Sequence, residues 1–163
     1  MTGFADFSRE ERALYNPAFT ALVTSRAVQG HQAHYDRPCP IAVAVLAAVM
    51  ALQPSVRQAL PRTTSNGLTR WLEENKHVKT TMSQNAPALA AVVRPGLLLA
   101  LQTQMLSCGS DGQLRLSPGA LRKVITGRTE ELAAIQKASH MLGRWLPSTG
   151  SVSTVMTLLG VRP

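Results

Sequence analysis

The chain has 163 residues, of which 45% are apolar and only 16% charged, and it carries a net charge of +8 and two cysteines. That length allows one domain whose folding buries roughly 68–70% of the unfolded surface. Cys39 and Cys108 lie too far apart for a C-x-x-C pair, which excludes a disulfide scaffold or a cysteine zinc site and points to a reducing cytoplasm.

Asn16-Pro17 opens the first long helix, with Asn as the cap and Pro in a first turn that needs no N–H. Phe19, Leu22, Val23 and Ala27 mark its apolar side, and Gly30 is the predicted stop. His31–Pro40 then reads as a loop. Pro40–Leu52 is apolar all round, the pattern of a helix in the middle of a core; it falls short of the roughly 20 residues that cross a bilayer. Asp6, Glu10 and Glu11 break any signal-peptide pattern at the start of the chain.

Pro54–Leu60 predicts a short helix that ends at Pro61. Ser65 is placed to cap another, with Leu68, Trp71 and Leu72 on one face and Glu73 and Glu74 on the other. Lys76–Gln104 is helical in pattern, but Pro87 and Pro95-Gly96 predict two or three pieces. The period changes at Met105–Cys108. With a turn at Gly109–Gly112 and the run Gln113–Leu116, this predicts a β-hairpin in which Asp111-Gly112 supplies the positive φ.

Ser117-Pro118 predicts a helix to about Thr126, stopped by Gly127. Thr129 caps a longer one whose first turn holds Glu130 and Glu131, where the helix dipole favours negative charge. Leu132, Ile135, Leu142 and Trp145 form its apolar stripe, Pro147–Gly150 reads as a loop, and Ser151–Leu159 as a last short element, a helix in preference to the strand that its Val and Thr content also allows. The expected fold is mainly α, a compact helical domain over residues 1–163 with a winged-helix-like β-hairpin. The helical part covers about 15–104, the hairpin about 105–116 and the C-terminal helices about 118–160.

Residues that could carry chemistry are few. His31-x-x-His34, with Asp36 and Cys39 nearby, has metal-ligand character but lacks a second ligand pair, so a surface loop is the better reading and a metalloenzyme the weakest. Glu10/Glu11, Glu73/Glu74 and Glu130/Glu131 are adjacent pairs whose members diverge by about 100° on a helix, which suits solvated faces better than acid–base catalysis. No nucleophile elbow, Walker loop or dinucleotide fingerprint is present. A catalytic site and a cofactor are therefore not expected.

Charge is the more informative feature. Ordinary soluble domains are about 25% charged, and a charge-poor small protein tends to cover apolar surface with a partner. Residues 76–163 hold ten Lys/Arg and three Asp/Glu, against seven and six in residues 1–75. Arg115, Arg122, Lys123, Arg128 and Lys137, on and after the hairpin, are candidates for sequence-independent contact with nucleic-acid phosphates, the alternative being a scattered solvated face. A winged-helix DNA-binding regulator is the alternative reading. The helix before its wing, Gly96–Gln104, carries no Lys or Arg to read bases.

Five segments in order resemble one family: YNPAF at Tyr15–Phe19, PCPIAVAV at Pro38–Val45, RQALP with TTSNGLTRWL between Arg57 and Leu72, the hairpin LSCGSDGQLRL, and TLLGVRP at Thr157–Pro163. Together they resemble the middle component of bacterial three-component ABC-ATPase systems, the group that includes the Lamassu-type defence operons. Cys39 and the polar Gln102–Gln104 depart from that pattern. The resemblance implies a non-catalytic subunit joining an SMC-like ABC ATPase to an effector, often a nuclease, in anti-phage or anti-plasmid defence. It further implies double-stranded DNA within reach of the complex and no membrane.

Overall fold

The computed structural model describes residues 8–162; Asp6, Pro163 and the side chain of Glu10 lie outside that description. A capping box formed by Ser8 and Glu11 starts α1 (Arg9–Leu14), a helix the sequence did not announce. Asn16 accepts the Ala18 amide and, with Pro17, starts α2 (Pro17–Tyr35) as predicted. This helix passes the predicted stop at Gly30 and ends at Asp36, which is left-handed at φ 50°. Gly30 serves packing instead: a Cβ there would overlap the carbonyl of His140. A glycine that admits a neighbouring backbone looks, in sequence, like a glycine that ends a helix.

The predicted loop to Pro40 is therefore short, and its last two residues form strand β1 (Cys39–Pro40). Helices α3 (Ile41–Leu52), α4 (Pro54–Ala59) and α5 (Leu68–Glu74) follow. Nine of the twelve residues of α3 are buried, in keeping with its uniformly apolar sequence, and it packs against α2, α6 and α7. The N-cap of α5 is Gly67, two residues beyond the predicted Ser65.

Helix α6 (His77–Gln102) is continuous, contrary to the two or three pieces expected. Pro87 and Pro95 are both exposed. Each proline leaves a carbonyl four residues back without its helical donor, and on a solvent-facing side that carbonyl can tilt outward. Strands β2 (Leu106–Cys108) and β3 (Gln113–Leu116) form the predicted hairpin, turning at Gly112 with φ 73°. Strand β1 adds to the other edge of β3, Cys39 opposite Leu114, giving a three-stranded antiparallel sheet in the order β1-β3-β2. Among the described residues the fold is mainly α with this small sheet.

The helix predicted from Ser117-Pro118 to Thr126 does not form. Residues 117–129 are an irregular segment with turns, and Gly119 sits at φ 72°. Its carbonyls are served from outside: Arg26 and Gln29 donate to Arg122 O at 2.6 and 3.2 Å, and Gln136 donates to Thr126 O at 3.0 Å. A backbone satisfied by side chains has no need of an intrahelical ladder. Helix α7 (Glu130–Trp145) starts at the predicted cap, with Thr129 accepting from Leu132 N. A 3-10 helix, Leu146–Thr149, leads to α8 (Val152–Leu158), capped by Ser151.

Two tryptophans meet in the core. Trp71 and Trp145 meet edge to face at 5.3 Å, and their ring N–H groups donate to Ala59 O and Asn66 O. Buried tryptophans placed this way contribute area and a satisfied donor at once. The connector between α4 and α5 is thereby held on the core.

Candidate docking groove and basic face

One helical stripe of α3, Ile41, Ala42, Val45, Leu46 and Val49, forms a wall of an open groove of about 1010 Å³. Its spacing repeats every three to four residues, as one side of a helix requires. Ile41, Ala42 and Val45 are only half-buried, so the apolar face of α3 is covered on most sides but not on this one. The opposite wall comes from α6, where Met82, Ala86, Ala90 and Arg94 recur every fourth residue and Ser83 and Pro87 stand beside them. Met156 of α8 and the following Gly160, Val161 and Arg162 close the third side. Among the described residues no Asp or Glu lines it. Nothing in the sequence marked Arg94 and Arg162 as a pair, because 68 positions separate them along the chain.

The sequence-predicted basic residues lie elsewhere. Arg115 is on β3, Arg122, Lys123 and Arg128 are on the irregular segment 117–129, and Lys137 is on α7; all five are exposed. None of them forms an ion pair among the described residues. Arg122 is the one that the structure ties to the core, through its carbonyl. Val124 in the same segment is 72% exposed, so an apolar tip stands among these cations.

Beneath the segment lies a feature that sequence reasoning missed. Arg26 is buried with only 5% exposure and has no carboxylate partner among the described residues; its guanidinium donates to Gln136 Oε1, Gln29 Oε1 and Arg122 O at 3.0, 2.9 and 2.6 Å. Neutral acceptors compensate the buried charge incompletely, and burial pulls the Arg26 pKa below its ordinary value. His140 is lowered as well, by burial first and then by Arg144 and Arg26. Arg26 on a helix of modest polarity gave no sequence signal of its role.

The histidine pair expected on a surface loop lies on α2 instead. His31 is buried on α2 and donates from Nδ1 to Arg37 O at 3.3 Å, while His34 is exposed against the Tyr35 ring. Burial lowers the His31 pKa. Cys39 is buried, its thiol pushed up to about 12 by desolvation, and Cys108 is exposed. A thiol held neutral in this way is a poor nucleophile and a poor ligand. Among the described residues no three His, Cys, Asp or Glu converge as metal ligands. Of the carboxylate pairs, Glu74 pairs with Arg70 and Glu131 with Arg57, each at 3.1 Å.

By architecture, then, this is a mainly α domain with a β-hairpin, an unfilled apolar groove and a basic face. The chain belongs to the family described as ABC-three component (ABC-3C) system Middle Component 3, whose family model matches residues 4–163. No curated protein and no solved structure matches it. It is thus a middle component, a partner of the other components of such a system. No helix of the described residues is long and apolar enough to cross a membrane.

Proposed function

We propose that this chain is a non-catalytic adaptor that bridges an SMC-like ABC ATPase and an effector, often a nuclease, in a cytoplasmic anti-phage or anti-plasmid complex. The observation that carries the reading is the open apolar groove between α3 and α6 on a charge-poor middle component. An apolar surface of this kind on a small soluble domain marks a place where another protein binds. Co-expression with the products of the two flanking genes, with a tag on this subunit only, tests it. Recovery of a coiled-coil ATPase together with an effector is the expected result. Recovery of the chain alone, binding a particular DNA sequence tightly, would restore the regulator reading.

Direct contact with DNA, within the same complex, falls to Arg115, Arg122, Lys123, Arg128 and Lys137. Their exposure and lack of ion pairs suit phosphate contacts. The last turns of α6, from Gly96 to Gln102, expose Leu98 and Gln102 but no cation, a poor set of side chains for reading bases. Replacing Arg115, Arg122 and Lys123 with Glu tests the assignment in a salt titration. Three phosphate contacts correspond to a slope of about −2.7 in log K against log salt, and the variant is expected to lose that much. An unchanged slope removes these residues from the interface.

A further inference from the structure

The geometry points to one occupant for the groove: an amphipathic helix of about three turns, apolar on the face it buries and acidic along its flank, presented by another component of the system. This rests on the adaptor reading and adds the chemistry of the partner. The α6 wall from Met82 to Arg94 spans about 18 Å at 1.5 Å per residue, the length of about twelve helical residues. Small side chains, Ala42, Ala86, Ala90 and Gly160, lie among the lining residues. They leave room for a third helix at the usual separation of about 8–10 Å between axes.

Charge sets the flank. Arg94 and Arg162 line the groove, the Lys79 stem lies against Gly160, and neither arginine nor Lys79 forms an ion pair among the described residues. With no carboxylate in the lining among the described residues, cations at its edge select acidic side chains on whatever enters. A second copy of this chain fits poorly. Two chains of net charge +8 repel each other, and Glu74 and Glu131 are already paired with Arg70 and Arg57. Nucleic acid fits poorly as well, because the walls offer alkyl surface where phosphates need donors.

Two variants test this in the co-expressed complex. Ala90→Trp fills the groove, and Arg94→Glu combined with Arg162→Glu reverses its edge; all three positions have exposed or half-buried side chains. Each variant is expected to weaken one component about tenfold or more in a binding titration while the other component binds as before. Lysine substitutions along the acidic flank of that component's helix should restore the charge-reversed variant. Should both components bind the variants with unchanged affinity, the groove is not the docking site, although the adaptor reading stands. A wild-type chain that binds neither component defeats both ideas. A dimer in light scattering that Ala90→Trp dissociates would make a second copy the occupant and overturn the inference. If Ala90→Trp proves misfolded by circular dichroism, the charge reversal decides alone.

Discussion

Small residues are used in two opposite ways on the surfaces of α2 and α3. Along α2 they bring backbones into contact: Gly30 faces the carbonyl of His140, Gly143 that of Ala27, and Gly96 of α6 fits against Thr20 and Ala21. In the groove, Ala42, Ala86, Ala90 and Gly160 are just as small, yet their walls stand apart around about 1010 Å³. One region is closed by the chain itself, and the other is shaped to be closed by something else. Side-chain size alone does not distinguish them. The difference lies in the polar partners: Ser139 donates to Val23 O across the closed seam at 2.7 Å, whereas Arg94 and Arg162 at the open one have no acidic partner among the described residues.

If that contrast holds, added bulk should act in opposite ways in the two regions. Gly143→Ala is expected to have the largest effect. Alanine in a helix ordinarily gains about 1 kcal/mol over glycine, but here its methyl must displace the Ala27 carbonyl. Overpacking against backbone costs about 3 kcal/mol, so the strain wins and urea unfolding should show a net loss of about 2 kcal/mol. Gln136→Ala comes next. It leaves the buried Arg26 Nε–H without its acceptor, a loss of about 1–2 kcal/mol by the same measurement.

Protonation should probe the closed region specifically. His31 and His140 both have pKa values below the ordinary 6.5, so the unfolded chain binds protons more readily than the native one. Their contribution is complete above pH 6.5 and is lost as the pH falls through the native values. The urea midpoint should therefore drop on acidification below 6.5, and His31→Gln should flatten that dependence. A smaller effect is expected in the groove: Ala90→Leu should change stability by no more than about 0.5 kcal/mol, since nothing there is displaced. Alkylation at pH 8 gives the finest test of burial. Cys108 should label in the native protein and Cys39 should not.

Local signals were legible where one residue settles a local conformation. Asn16 and Thr129 cap the helices they were expected to cap, and Asp111-Gly112 turns the hairpin. The failures share a cause at long range. Gly30 answers to His140, 110 positions away, and β1 exists because Leu114 lies opposite Cys39. The segment after Pro118 is held open by Gln136 and, from more than 90 positions away, by Arg26 and Gln29. The exposed side taken by Pro87 and Pro95 is likewise a tertiary fact. For the candidate site, the five basic residues could be found from charge density, but the groove could not. The uniform hydropathy of α3 predicts burial everywhere and does not show which stripe the chain leaves uncovered.

Bridging is tested most directly by moving the tag. With the ATPase tagged and the effector untagged, the two are expected to co-purify when this chain is present and to separate when it is omitted. An effector that accompanies the ATPase equally well without this chain would contradict the adaptor account.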